Sequence, residues 1–155
     1  MEKSSNGVIA VESGSGPTRS VLQTGEDPRL ARDADEDLQM VGTRRANLLL
    51  EGSAGAIRTA LERLWPEARE PILMWSPGQP LNLPSPGLPA TLVLRDVSEL
   101  TYVEQHRLLA WLDLADGRIR VVSTTAVPLW PRVSAGAFND VLYYRLNTVC
   151  VDVGR

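Results

Sequence analysis

The junction at residues 47–65 constrains this chain most: a short apolar run, a small-residue stretch and an amphipathic segment follow one another directly. Asn47-Leu-Leu-Leu50 is short enough for a strand buried on both faces. Glu51-Gly-Ser-Ala-Gly-Ala-Ile-Arg-Thr59 comes next, then Ala60-Leu-Glu-Arg-Leu-Trp65. Ile57, Leu61, Leu64 and Trp65 recur at helical spacing, and Pro66 ends the helix. A strand, a glycine-containing loop and a helix so arranged can aim backbone N–H groups at a phosphate. The working pattern is G-x-x-x-x-G-K-[ST]. The register here supplies Gly52, Gly55 within the loop, and Thr59, with Ile57 at the second glycine and Arg58 at the lysine. A β-branched isoleucine resists positive φ and adds bulk where backbone must close on phosphate. Arginine keeps the charge, but its planar fork does not replace a compact ammonium. On these grounds a plain strand-to-helix turn, holding no ligand, is the preferred reading.

The rest of the chain alternates between strand and helix. Residues 1–37 read as a polar tail: Ser13-Gly-Ser-Gly-Pro17 is linker-like, and Gly25–Asp37 is dense in charge and poor in large apolar groups. A short strand near Val8–Val11 is the one element open there. The folded domain spans 38–155, with Leu38–Ala46 read as a short helix. Pro71–Trp75, Thr91–Leu94, Arg118–Thr124 and Thr148–Val153 read as further strands. Between the first two of these, Ser76–Ala90 carries five prolines and two glycines and reads as an extended loop. Thr101-x-x-Glu104 is a capping box for a helix to Leu114, with Val103, Leu108, Leu109 and Leu112 inward. Ser134 can cap a helix over Ala135–Leu146. The alternation implies a mainly parallel five-stranded sheet covered on both faces.

Composition removes several functional classes. Net charge is -3, with 16 basic and 19 acidic residues, so no basic footprint for nucleic acid exists. One cysteine, Cys150, excludes an internal disulfide and a multi-cysteine metal site, and its strand position suggests a buried thiol. One histidine, His106, leaves no room for a histidine-rich metal centre and has no visible catalytic partner. No apolar run reaches membrane-spanning length, and the N-terminus does not read as a signal peptide. A cytoplasmic address is expected. Trp65, Trp75, Trp111 and Trp130 lie on separate elements without interleaved basic residues, which suits a core or an interaction face. Tyr143 and Tyr144 lie on an amphipathic helix, where at least one belongs in the core.

Four segments resemble the sigma-54-dependent activators, the enhancer-binding AAA+ ATPases of bacteria. Thr91-Leu-Val-Leu-Arg-Asp-Val-Ser-Glu-Leu100 is similar to the family's T-L-F-L-D-E-I-G-E-L, and Glu104-Gln-His-Arg-Leu-Leu109 to the helix after it. Arg120-Val-Val-Ser-Thr-Thr125 resembles the sensor strand R-V-I-A-A-T. Gly136-Ala-Phe-Asn-Asp-Val-Leu-Tyr-Tyr-Arg-Leu-Asn147 resembles G-x-F-R-x-D-L-Y-Y-R-L-N, the most specific match. The resemblance runs from Leu38 to Val153. It implies a three-layer αβα core of the P-loop/AAA+ kind, without the helical lid.

It also implies what has changed. The Walker B aspartate falls on Arg95, the neighbouring glutamate on Asp96, and the sensor asparagine on Ala126, after a retained Thr125. Of two trans-acting arginines, one falls on Asn139 and one on Arg145. Arg145 could alternatively pair with a nearby acid, and Asp96 with Glu99 could simply open a helix. The interval 76–90 lacks the family's sigma-54-contacting G-A-F-T-G-A motif, and a second insertion before the sensor strand is absent. The resemblance thus implies no catalytic residues, no metal and no required cofactor. Gly52, Gly55, Arg58, Thr59, Asp96 and Thr125 would be the remnants of an ATP–magnesium site. Phe138, Asn139 and Arg145 are the candidate interface, and the expected partner is another protein, an intact AAA+ activator or a second copy, with no direct DNA contact. The alternative is an ATP-binding regulator with weak or residual turnover.

Overall fold

A computed structural model describes residues 36, 38 and 46–154. The expected strand at Val8–Val11, most of the tail and most of the Leu38–Ala46 helix lie outside these residues. Glu36 and Leu38 have helical backbone, and Leu38 is buried.

Five strands form one sheet: β1 (Leu48–Gly52), β2 (Ile72–Trp75), β3 (Ala90–Leu94), β4 (Ile119–Thr125) and β5 (Val149–Gly154). Their order is β2-β3-β4-β1-β5, and all four pairings are parallel. Every residue of β1 and β3 is buried, as central strands covered by helices on both faces require.

Alternation along the strands divides the core in two. Leu48, Leu50, Val93, Val122 and Val151 face α1 (Ala54–Leu64), which contributes Ile57, Ala60, Leu61 and Leu64, with Leu38 in the same cluster. Leu49, Leu92, Leu94, Val121 and Cys150 face the opposite way. There they meet Leu108, Trp111, Leu112 and Ala115 of α2 (Tyr102–Ala115), and Leu142, Tyr143 and Leu146 of α4 (Asp140–Leu146). The result is a three-layer αβα arrangement, and no helical lid is present among the described residues.

The capping box forms as its spacing implies: Thr101 Oγ1 accepts from Glu104 N–H at 3.2 Å, and Glu104 Oε2 accepts from Thr101 N–H at 2.8 Å. Two expectations on the helices need correction. Val103 does not point inward; it is 65% exposed. The inward stripe of α2 is Gln105, Leu108, Trp111, Leu112 and Ala115, on which a buried glutamine takes the first place. Ser134 does not cap a helix over Ala135–Leu146. It ends a five-residue helix, α3 (Trp130–Ser134), after which Gly136 takes φ +73° and breaks the helical path. Asn139 then caps α4, its Oδ1 accepting from Leu142 N–H at 2.8 Å.

The proline-rich segment after β2 lies as a strap against the β3–α2 side. Leu81 is buried, Trp75 Nε1 donates to Gln79 O at 2.9 Å, Trp111 Nε1 to Pro84 O at 2.7 Å, and Arg107 to Leu81 O at 3.3 Å.

Candidate functional site

Parallel α/β sheets place ligands outside the carboxyl ends of their strands. A cleft of about 590 Å³ opens there, between α1 and the ends of β3 and β4. Ala54, Gly55, Ile57, Arg58, Leu61, Glu62 and Trp65 line one side; Met74, Arg95, Asp96, Thr124 and Ala126 line the other. The fold thus brings Gly55 and Arg58 of α1 together with Asp96, which follows β3.

Gly52, Thr59 and Thr125 do not line the cleft, and each makes a contact within the scaffold. Gly52 is buried against β5: a methyl group on its Cα would stand 2.4 Å from Gly154 O and 2.8 Å from Val153 Cγ2. Close backbone approach explains this glycine without a phosphate. Thr59 Oγ1 donates back to Gly55 O within the helix at 3.1 Å. Thr125 is buried; its hydroxyl donates to Val127 O at 2.7 Å and accepts from Val127 N–H at 3.2 Å, closing the turn after β4.

The strand-to-helix junction is a tight turn, with no extended glycine loop between the two elements. Helix begins at Ala54, so Ser53 alone separates it from β1. Ser53 N–H donates to Gly154 O at 2.8 Å, Ala56 N–H to Ser53 Oγ at 3.3 Å, and Ile57 N–H to Ser53 O at 2.9 Å. Two of the four donors that a helix start leaves open, Ser53 N–H and Ala56 N–H, are therefore engaged within the protein, and Ile57 N–H makes the first i→i−4 bond of the helix. Ile57 accounts for the early start. Its side chain is buried among Leu48, Leu50 and Leu61, a contribution of about 2 kcal/mol that a glycine forgoes.

At the end of β3, Arg95 is exposed and its N–H continues the sheet by donating to Trp75 O at 3.0 Å. Asp96 follows in the left-handed region at φ 48°, with its N–H donating to Thr124 Oγ1 at 3.3 Å. That backbone turns the chain into the short 3₁₀ segment Val97–Glu99. Neither Arg58 nor Arg95 has an ion-pair or hydrogen-bond partner for its side chain among the described residues. No group of three metal-ligating side chains occurs among them either.

The sequence model of the sigma-54 interaction domain family matches residues 30–155. The chain belongs to the sigma-54 interaction domain family. Its fold also matches NtrX from Brucella abortus solved with ATP, at 16% identity and TM-score 0.66, over 88% of this chain and 39% of that one. The same protein solved with ADP gives TM-score 0.66 over 85% of this chain and 37% of that one, again at 16% identity. A P-loop NTPase domain of a sigma-54 transport activator from E. coli matches at 17% identity and TM-score 0.54, covering 71% of this chain and 98% of that domain. This chain spans less than two fifths of the length of NtrX. No curated protein sequence matches it.

Within this sigma-54 interaction domain, the Ile57 side chain is buried at the position of the second glycine, the N–H groups of Ser53 and Ala56 are engaged, and Arg95 lines the cleft at the end of β3.

The interface candidates separate. Phe138 is not available to a partner: it is 3% exposed and packs in the core with Leu108 and Leu142. Asn139 is half-buried and committed to capping, while its N–H donates to Gln105 Oε1 at 2.8 Å. Arg145 pairs with Asp113 across α4 and α2, both side chains remaining largely in solvent. Val141, Tyr144 and Arg145, at i, i+3 and i+4 of α4, share a face, on which Val141 and Tyr144 are exposed apolar residues.

No local pattern in the sequence marks Gln105 or Glu51 as a buried polar residue. Buried Gln105 also donates from Nε2 to Leu100 O at 3.0 Å and Ala137 O at 3.4 Å, tying α2 to both flanking segments. Buried Glu51 accepts from Leu129 N–H at 3.3 Å. His106 lies exposed beside Tyr102, with ring centroids 4.3 Å apart.

Proposed function

We propose that this sigma-54 interaction domain acts without catalysis, as a regulatory protein–protein contact module in bacterial transcription control. The observation that carries the reading is the β1–α1 junction. Its helix starts at Ala54, the N–H groups of Ser53 and Ala56 are engaged, and Arg95 lines the same cleft. Phosphoryl transfer depends on a phosphate cradle, a held metal and an oriented water, and these positions supply none of the three in the usual way. The contact face is the outer side of α4, Val141, Tyr144 and Arg145, joined by Trp130, whose ring lies 5.6 Å from Tyr143. The partner is an intact AAA+ activator or a second copy, met in the cytoplasm without direct DNA contact.

Two measurements test this. Phosphate release from ATP with magnesium should stay at the buffer background, and measurable turnover abolished by Arg58→Ala would overturn the claim. Affinity purification should recover a partner that Tyr144→Ala releases; recovery of none would defeat the contact reading.

A second reading, an ATP-binding regulator with weak turnover, draws on Gly55, Arg58 and Asp96 lining one cleft. It requires ATP affinity that magnesium strengthens, and titration calorimetry decides it.

A further inference from the structure

Helix α2 is apolar on both sides. Gln105, Leu108, Trp111, Leu112 and Ala115 make its buried stripe. The opposite side carries Tyr102, Val103, His106, Ala110 and Leu114, all exposed. Tyr102, Val103 and Leu114 are each at least 65% exposed, and the ring of Tyr102 stands edge-on to that of His106. A helix at a domain surface ordinarily turns polar residues outward, whereas one that is apolar all round is covered. Two exposed charged residues, Arg107 and Asp113, lie among these apolar positions.

The order of residues along α2 selects what covers it. Ala110 stands at the centre. Arg107 lies three residues before it and Asp113 three after; His106 lies four before and Leu114 four after. Two copies of α2 packed antiparallel about a two-fold axis at Ala110 therefore set Arg107 of each against Asp113 of the other. Leu114 of each then meets the Tyr102–His106 pair of the other. A parallel packing would set Arg107 on Arg107 and Asp113 on Asp113. The small side chain at the axis lets the helices approach to about 8 Å, the short end of the usual spacing. Asp113 already accepts from Arg145 of its own chain, and a carboxylate has acceptor capacity for a second guanidinium. We infer that the outer side of α2 is the centre of a symmetric contact between two copies of this chain, antiparallel and centred on Ala110. The Asp113–Arg145 pair joins α2 to α4, so this face continues into that of Val141 and Tyr144. The inference rests on the contact reading and deepens it by naming the partner as a second copy. Each copy uses the same patch, so the assembly closes at two.

Sedimentation equilibrium on the full chain, from micromolar to millimolar, should approach twice the chain mass as its limit. Ala110→Glu sets two carboxylates at the axis and should leave a monomer that melts near the parent, because residue 110 is exposed. Arg107→Asp and Asp113→Arg each reverse two symmetric pairs and should each weaken self-association by about tenfold or more. Arg107 also donates to Leu81 O, so melting is measured beside mass. Mixed in equal amounts, the two charge variants should associate as the parent does, since every facing pair is again opposite in charge. A folding defect in either variant would give no such recovery. A parent that stays monomeric at millimolar concentration overturns the inference; if Tyr144→Ala still releases a captured protein of another kind, the contact reading survives that loss. Growth beyond two copies overturns the two-fold arrangement. So does a mixture that stays monomeric, or Ala110→Glu associating as the parent does.

Discussion

Gly52 and Gly154 meet so closely that a β-carbon on the first would stand 2.4 Å from the carbonyl oxygen of the second. Ser53 N–H donates to that same oxygen at 2.8 Å. The contact fixes the end of β1 against the end of β5, and it sets apart two glycines that look alike in the sequence. Gly52→Ala should cost about 2 kcal/mol, the scale of forcing an extra methyl into a packed site. Gly55 has nothing within 4 Å of its added β-carbon and lies in α1, so Gly55→Ala should gain about 0.5 kcal/mol. Urea denaturation of the two variants reads both signs. A phosphate-cradling loop would have penalised both.

Gln105 is a buried polar residue on a helix face that is otherwise apolar. Its carboxamide serves Asn139 N–H and Leu100 O at once. Gln105→Leu fits the neighbouring apolar stripe but strands both partners. It should lower stability by about 2–3 kcal/mol, the cost of leaving buried groups unsatisfied. Thermal unfolding measures the loss, and a neutral outcome would show that water replaces the amide.

Asn139 stands where the family resemblance places an arginine, and its present work is capping. Asn139→Arg should therefore destabilise by about 1 kcal/mol, through loss of the bond to Leu142 N–H. Asn139→Asp keeps the acceptor and should be close to neutral. Phe138→Ala, by contrast, removes a side chain 3% exposed and should cost about 3–5 kcal/mol. Chemical denaturation should show the smallest loss for Asn139→Asp, a larger one for Asn139→Arg and the largest for Phe138→Ala.

Arg145 and Asp113 form an ion pair with side-chain exposures of 40% and 63%. Solvent screening limits such a pair to about 0.5 kcal/mol, so Arg145→Ala and Asp113→Ala should both melt near the parent. Partner capture separates their roles. If Arg145 reaches across an interface, only its own variant loses the partner; equal losses would assign the effect to the pair.

Local interactions were legible before the fold was known. The Thr101–Glu104 box needs only residues three apart, and Ile57, Leu61 and Leu64 announce their helix by spacing. The parallel sheet followed from short apolar runs alternating with helices. What escaped notice depends on distant chain. Gly52 looks like a loop glycine until Gly154 is brought beside it. Val103 is apolar yet lies five residues from Leu108, off the buried stripe, whereas polar Gln105 lies three away and on it. Phe138 drew attention through the family's signature, which does not separate a residue kept for packing from one kept for contact. Gly136 broke a helix that the apolar pattern carried straight through, because its φ of +73° is set by the turn.

The four tryptophans occupy three kinds of surroundings. Trp75 and Trp111 are buried, each with its indole N–H on a carbonyl of the proline-rich strap; Trp130 is exposed; and Trp65 lines the cleft. The molecule therefore carries its own optical probes. Detachment of the strap should shift emission to longer wavelength while the sheet stays folded, and a ligand against Trp65 should quench a single component. Single Trp→Phe variants would assign each signal, so loop release, surface docking and cleft filling become separable in one fluorescence spectrum without any added label.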